Sequence, residues 1–149
     1  MPATKKKKSK SQKKKAARAT RKAAITTSIV PWLNLRGGAR AVDFYKAAFG
    51  AVEVFRMGDV DNVVARLSID GAEFWLSDAS PEHFNFSPES LGGITVRIIL
   101  TVDDPDAVFA RAIKAGAKEV YPVTEEHEWR IGRVVDPFGN HWEIGKPLS

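Results

Sequence analysis

The chain has 149 residues, no cysteine, and 23 Lys and Arg against 18 Asp and Glu. The lack of cysteine excludes a disulfide framework and any thiolate metal centre. No apolar run approaches the roughly 20 residues that cross a bilayer, so the expectation is a soluble, cytoplasmic protein with no membrane partner.

The positive charge is concentrated at one end. Residues 1–24 hold eleven basic side chains and no acid: Lys5, Lys6, Lys7, Lys8, Lys10, Lys13, Lys14, Lys15, Arg18, Arg21 and Lys22. From residue 25 onward twelve basic residues face eighteen acidic ones, so the body is anionic. The basic segment lacks aromatic and large aliphatic residues to offset its ordering entropy, which predicts a disordered tail over 1–24. Its charge suits non-specific, salt-sensitive binding of nucleic acid or another polyanion; the plainer alternative is a solvated extension. Residues 25–149 are one domain's worth of chain.

The body opens on a predicted strand over 29–35. Ile29, Pro31, Leu33 and Leu35 share one face, and Val30, Trp32 and Asn34 the other. A helix follows, with apolar residues at 41, 42, 44, 45, 48 and 49, Gly37-Gly38 leading in and Gly50 as a C-terminal stop. Strands are predicted over 52–57, 63–70 and 72–78, with Asp70-Gly71 as a hairpin turn. In the last of these, Phe74 and Leu76 oppose Glu73, Trp75 and Ser77. Residues 79–93, rich in Ser, Pro, Asn and Gly, form a linker whose Phe84 and Phe86 either cover a cleft or pin the linker to the body.

The same order then recurs. A strand from residue 94 sets Val96, Ile98, Leu100 and Val102 against Thr95, Arg97, Ile99 and Thr101. Asp104 as N-cap, Pro105 at the first helical position and Gly116 as stop delimit a second helix. The loop 125–130 is acidic, with Trp129 expected on a cavity rim. A final strand sets Trp142 and Ile144 against His141, Glu143 and Gly145. Gly50-Ala51 matches Gly116-Ala117, and Glu53-Val54 matches Glu119-Val120. Module one therefore spans 28–78 and module two 94–147. A repeat of this size cannot bury its apolar face alone and packs on a second copy, in the same chain or another. The polar face carries two Trp, which fit full exposure poorly and an aromatic-lined cavity well. Candidate ligand-binding residues are Trp32, Asn34, Glu73, Trp75, Ser77, Arg97, Ile99, His141 and Glu143.

The repeat, the segment Ala41-Val42-Asp43-Phe44-Tyr45-Lys46-Ala47-Ala48-Phe49-Gly50, and the Asp-Pro-x-Gly-x-x-x-Glu pattern from Asp136 to Glu143 together resemble the vicinal oxygen chelate superfamily. That group includes glyoxalase I, bleomycin-resistance proteins and extradiol dioxygenases, and the likeness covers residues 28–147. It implies an α+β fold of two βαβββ modules, forming a curved eight-stranded mixed sheet around a cavity with helices on the outer face. It also implies a homodimer, since open sheet edges in such modules are commonly closed across a two-fold axis. The metal ligands of metal-using members fall here at Val30, Trp75, Arg97 and Glu143. Val and Trp cannot coordinate, and Arg has no lone pair to give, so Glu143 alone suits a metal.

These positions favour a binder over an enzyme. The leading expectation is a metal-independent small-molecule binding protein of the glyoxalase/bleomycin-resistance type, without a cofactor, in which Arg97 lies within reach of Glu143. One alternative is a divalent-metal lyase or isomerase of the glyoxalase type rebuilt on Glu143 and His141, with His83 or His127 adding a ligand. Another is a scaffold tethered to nucleic acid by the tail, its cavity vestigial.

Overall fold

The computed structural model describes residues 23–149. The basic cluster from Lys5 to Lys22 lies outside the described residues. Among the described residues, two four-stranded mixed sheets and three helices are arranged in two matching series joined by a linker. The first is β1 (Trp32–Leu35), α1 (Gly38–Phe49), β2 (Val52–Met57), β3 (Val64–Ile69) and β4 (Ala72–Asp78). After a short α2 (Pro88–Leu91) comes the second: β5 (Ile98–Thr101), α3 (Pro105–Ala115), β6 (Lys118–Glu126), β7 (Trp129–Val135) and β8 (His141–Pro147). The strand orders are β1-β4-β3-β2 and β5-β8-β7-β6, with β1–β4 and β5–β8 parallel and the other pairs antiparallel. The α+β fold of two βαβββ modules is present, and its eight strands divide into two open sheets rather than a closed barrel.

Two strands start later than the sequence suggested. Residues 29–31 lie outside β1 and Ile29 is fully exposed; Pro31 has no N–H to give, and its carbonyl accepts the last rung from Trp75 N–H at 2.9 Å. Likewise β5 begins at Ile98, not 94. Its partner β8 starts at His141, with Ile98 opposite Trp142, and the chain before β8 turns through 136–140, leaving residues 94–97 no strand to pair with. Val96 is therefore exposed rather than in the core. The predicted loop 125–130 is a tight hairpin: Glu126 pairs with Trp129, and His127 and Glu128 both take positive φ, as a two-residue turn between twisted strands requires. The linker is folded as well, with a 3-10 turn at Pro81–His83 and α2 capped by Ser87.

The helices form for local reasons. Asp78 at the end of β4 accepts from the Gly37 and Gly38 N–H groups at 3.1 and 2.9 Å, replacing the missing side-chain cap of α1. Gly50 closes α1 at φ 66°, a conformation that costs glycine nothing. Asp104 accepts from Ala107 N–H at 3.1 Å to start α3, behind Pro105. The alternation of each strand then decides what is buried. Leu33, Leu35, Ala65, Leu67, Phe74 and Leu76 of the first sheet, and Leu100, Val134, Trp142 and Ile144 of the second, all enter one apolar core.

That core is shared between the modules. Tyr45 and Phe49 of α1 meet Trp142 of β8 with ring centroids 5.4 and 4.8 Å apart. Arg111 of α3 donates to the Ala47 carbonyl at the C-terminal end of α1, at 2.8 Å. At the centre sits buried Asp136. Its Oδ1 accepts from the Phe138 and Asn140 N–H groups at 2.9 Å each, and its Oδ2 from the Trp142 indole at 3.0 Å and from the Tyr45 hydroxyl. A carboxylate is tolerable there because four donors are aimed at it. The same contacts bolt α1 of the first module to the β7–β8 turn of the second.

Candidate functional site

With one face of each sheet committed to this core, the opposite faces are open. On the first sheet, Trp32 stands beside Trp75 and Asn34 beside Ser77 across β1–β4. The two indoles stack at 5.1 Å and 16°. Trp32 Nε1 donates to Ser77 Oγ at 2.9 Å, and Ser77 Oγ in turn lies 3.4 Å from Asn34 Oδ1. Four of the predicted residues thus form one hydrogen-bonded aromatic platform. Trp32 is 54% exposed, an unusual position for an indole with no burial to gain. Glu73 lies at the edge of the same face and pairs with Arg66 at 3.7 Å. Arg66 lies 5.5 Å from the Trp75 ring centre, opposite Trp75 in the β3–β4 register. Phe55 and Met57 of β2 extend the face outward, both exposed.

On the second sheet, Ile99 and Glu143 are register partners, as are Arg133 and Glu143 and Tyr121 and Arg133. Two adjoining concavities lie on this face. One of about 360 Å³ is lined by Tyr121, Thr124, Glu126, Ile131, Arg133 and Glu143. The other, about 390 Å³, includes Ile99, His127, Trp129 and Glu143. Arg97, just ahead of β5, reaches Glu143 with Nη1–Oε1 at 3.5 Å. The Glu143 side chain is 19% exposed and that of Arg97 54%. His141, on the same face of β8, is half-buried, and its buried Nδ1 has no hydrogen-bond partner. Burial and, second, the Arg133 charge hold its pKa below the ordinary imidazole value, with Asp136 pulling the other way.

The predicted residues thus divide between two faces: Trp32, Asn34, Glu73, Trp75 and Ser77 on the first, Arg97, Ile99, His141 and Glu143 on the second. Where the superfamily's metal-using members place ligands, this chain has Trp75 stacked on Trp32 and Arg97 paired with Glu143. Among the described residues no three His, Asp or Glu side chains come together. His83 is engaged with Ser80 Oγ at 2.6 Å in the linker. Sequence reasoning passed over Arg66, Phe55, Tyr121, Ile131 and Arg133, because the second and third strands of each module were read without a register. Alternation along β7, carried across from Glu143, identifies Arg133.

A family model for the glyoxalase-like domain matches residues 32–145. The chain belongs to this family. A curated uncharacterized protein of Mycobacterium bovis is 41% identical over 131 residues, covering 83% of this chain and 86% of the relative. Among solved structures, an Arabidopsis thaliana gene product has 33% identity and a TM-score of 0.64, covering 80% of this chain and 98% of that one. TnmS3, an antibiotic binding protein from Streptomyces sp. CB03234, has 22% identity and a TM-score of 0.63 over 85% of this chain and 99% of its own, a likeness of fold. Among the described residues no helix is long and apolar enough to cross a membrane.

Proposed function

We propose that the protein binds a planar aromatic small molecule without a metal, the ligand lying against the Trp32–Trp75 platform. The observation that carries this reading is the platform itself. Two stacked indoles, braced by Ser77 and Asn34 yet part-exposed, contribute little to the core and offer a rigid apolar surface with polar anchors beside it. The fold is shared with an antibiotic binding protein, which is consistent with small-molecule capture. The site is incomplete in one chain, because each sheet presents an open face. A homodimer that lays the second-sheet face of one copy over the first-sheet face of the other encloses the ligand and covers exposed Trp32, Phe55, Met57, Ile99 and Tyr121.

Tryptophan fluorescence and calorimetry with a neutral fused-ring probe, 2-naphthamide, test this. Binding that weakens at least about fivefold in Trp75→Ala supports the platform, since stacking on an aromatic side chain contributes about 1–3 kcal/mol. Unchanged affinity in that variant refutes it. Sedimentation at micromolar concentration should show a dimer. About one transition metal per chain, lost on Glu143→Ala, would overturn the metal-free reading in favour of a lyase or isomerase.

A further inference from the structure

Each arginine on the open faces has a carboxylate partner except one. Arg66 has Glu73, Arg97 has Glu143. Arg133 lies directly opposite Glu143 across β7–β8, yet that carboxylate is turned to Arg97. Among the described residues Arg133 makes no ion pair, and its Nε, like that of Arg66, is buried without a hydrogen-bond partner. An N–H left so is costly, because that donor has given up water and gained nothing. Its neighbour His141 is in the same condition at Nδ1. The other acid on this concavity, Glu126, is exposed at the rim and has Thr124 Oγ1 3.5 Å away, so its charge is screened by solvent.

We propose that Arg133 is the docking point for a carboxylate on the aromatic ligand. The inference rests on the small-molecule reading above and adds to it the acidic class of ligand. A carboxylate matches the unpaired guanidinium in charge and planarity, and the fork of a guanidinium's two terminal nitrogens can engage it with two parallel bonds. Tyr121, across β6–β7 from Arg133 and 61% exposed, supplies an aromatic wall and a hydroxyl beside the acid. The ring system of the ligand then extends toward the Trp platform of the facing sheet.

The test compares 2-naphthoate with 2-naphthamide, which differ in charge and hardly in shape, by calorimetry on the full chain, on Arg133→Gln and on Arg133→Lys. The native protein should prefer the acid by about ten- to hundredfold, the range for a hydrogen bond to a charged group. Arg133→Gln should abolish the preference, weakening the acid far more than the amide. Arg133→Lys keeps the charge without the fork and should retain part of the preference; it also decides the matter if Arg133→Gln fails to fold. Equal native affinity for acid and amide overturns the acid subsite and leaves the aromatic platform standing. A preference undiminished in both variants removes Arg133 from the site. Binding of neither compound at millimolar concentration overturns this inference together with the reading it rests on.

Discussion

Tyr45→Phe tests the buried joint between the modules with the loss of a single oxygen. The ring is fully buried among Phe49, Phe74, Phe138 and Trp142, so the phenyl group keeps the packing and opens almost no cavity. What goes is one donor to a buried carboxylate. Hydrogen bonds to charged groups contribute about 1.5–3 kcal/mol, and Asp136 keeps three other donors, so a loss of about 1.5–2 kcal/mol is expected. For a domain of this size that lowers Tm by about 5–10 °C. The pH dependence carries a second signature. Burial raises the Asp136 carboxyl above its usual range against the pull of its donors, Tyr45 among them. A raised carboxyl holds its proton more tightly when folded, so its contribution to stability falls as pH rises from the unfolded pKa to the folded one. Removing Tyr45 raises it further, so the penalty should be greatest above the folded pKa and shrink as pH falls through it. Denaturant melts from pH 4 to 8 measure this; a loss below about 0.5 kcal/mol, independent of pH, refutes the account of Asp136 as an anchored carboxylate.

Gly132→Ala should cost about 1–3 kcal/mol by calorimetric melting, because a Cβ there would sit 2.9 Å from Phe109 Cε2, Val123 Cγ2 and the Val123 amide nitrogen. Arg97→Ala should cost only about 0.5–1 kcal/mol, since its partner-bearing side chain is half in solvent and water screens the pair. His141 should titrate by NMR below the ordinary imidazole value and move upward in Arg133→Gln. Its depressed pKa means stability is full above the unfolded value and is lost as pH falls through it, because the unfolded chain takes the proton first. Deleting residues 1–24 should leave Tm within about 1–2 °C while removing most binding to duplex DNA in moderate salt, since the remaining body is anionic.

Strand alternation made most of the fold readable. Leu33, Leu35, Phe74, Leu76, Trp142 and Ile144 are buried where alternation put them, and both helices stop at their glycines. The ends of β1 and β5 were less legible, because a strand extends only as far as its neighbour does, and the neighbour's bounds are set by a turn elsewhere in the chain. That Trp32 and Trp75 lie on open faces followed from alternation, whereas their stack required the β1–β4 register and Arg133 the β7–β8 register. Asp136 was visible as part of a motif, but its bond to Tyr45 spans 91 residues and joins the two modules, a pairing that no local pattern encodes.

The shared core has an evolutionary consequence. Stability resides on the side of each sheet that faces the helices, where Trp142 and the Asp136 joint leave little freedom. The open faces bear little of that burden, so side chains at positions 32, 55, 75, 99, 121 and 133 are free to drift with small effect on folding. A lineage with this division of labour can exchange one ligand for another by rewriting a handful of surface positions, and a library confined to those six would sample new specificities without first having to rescue a failing fold.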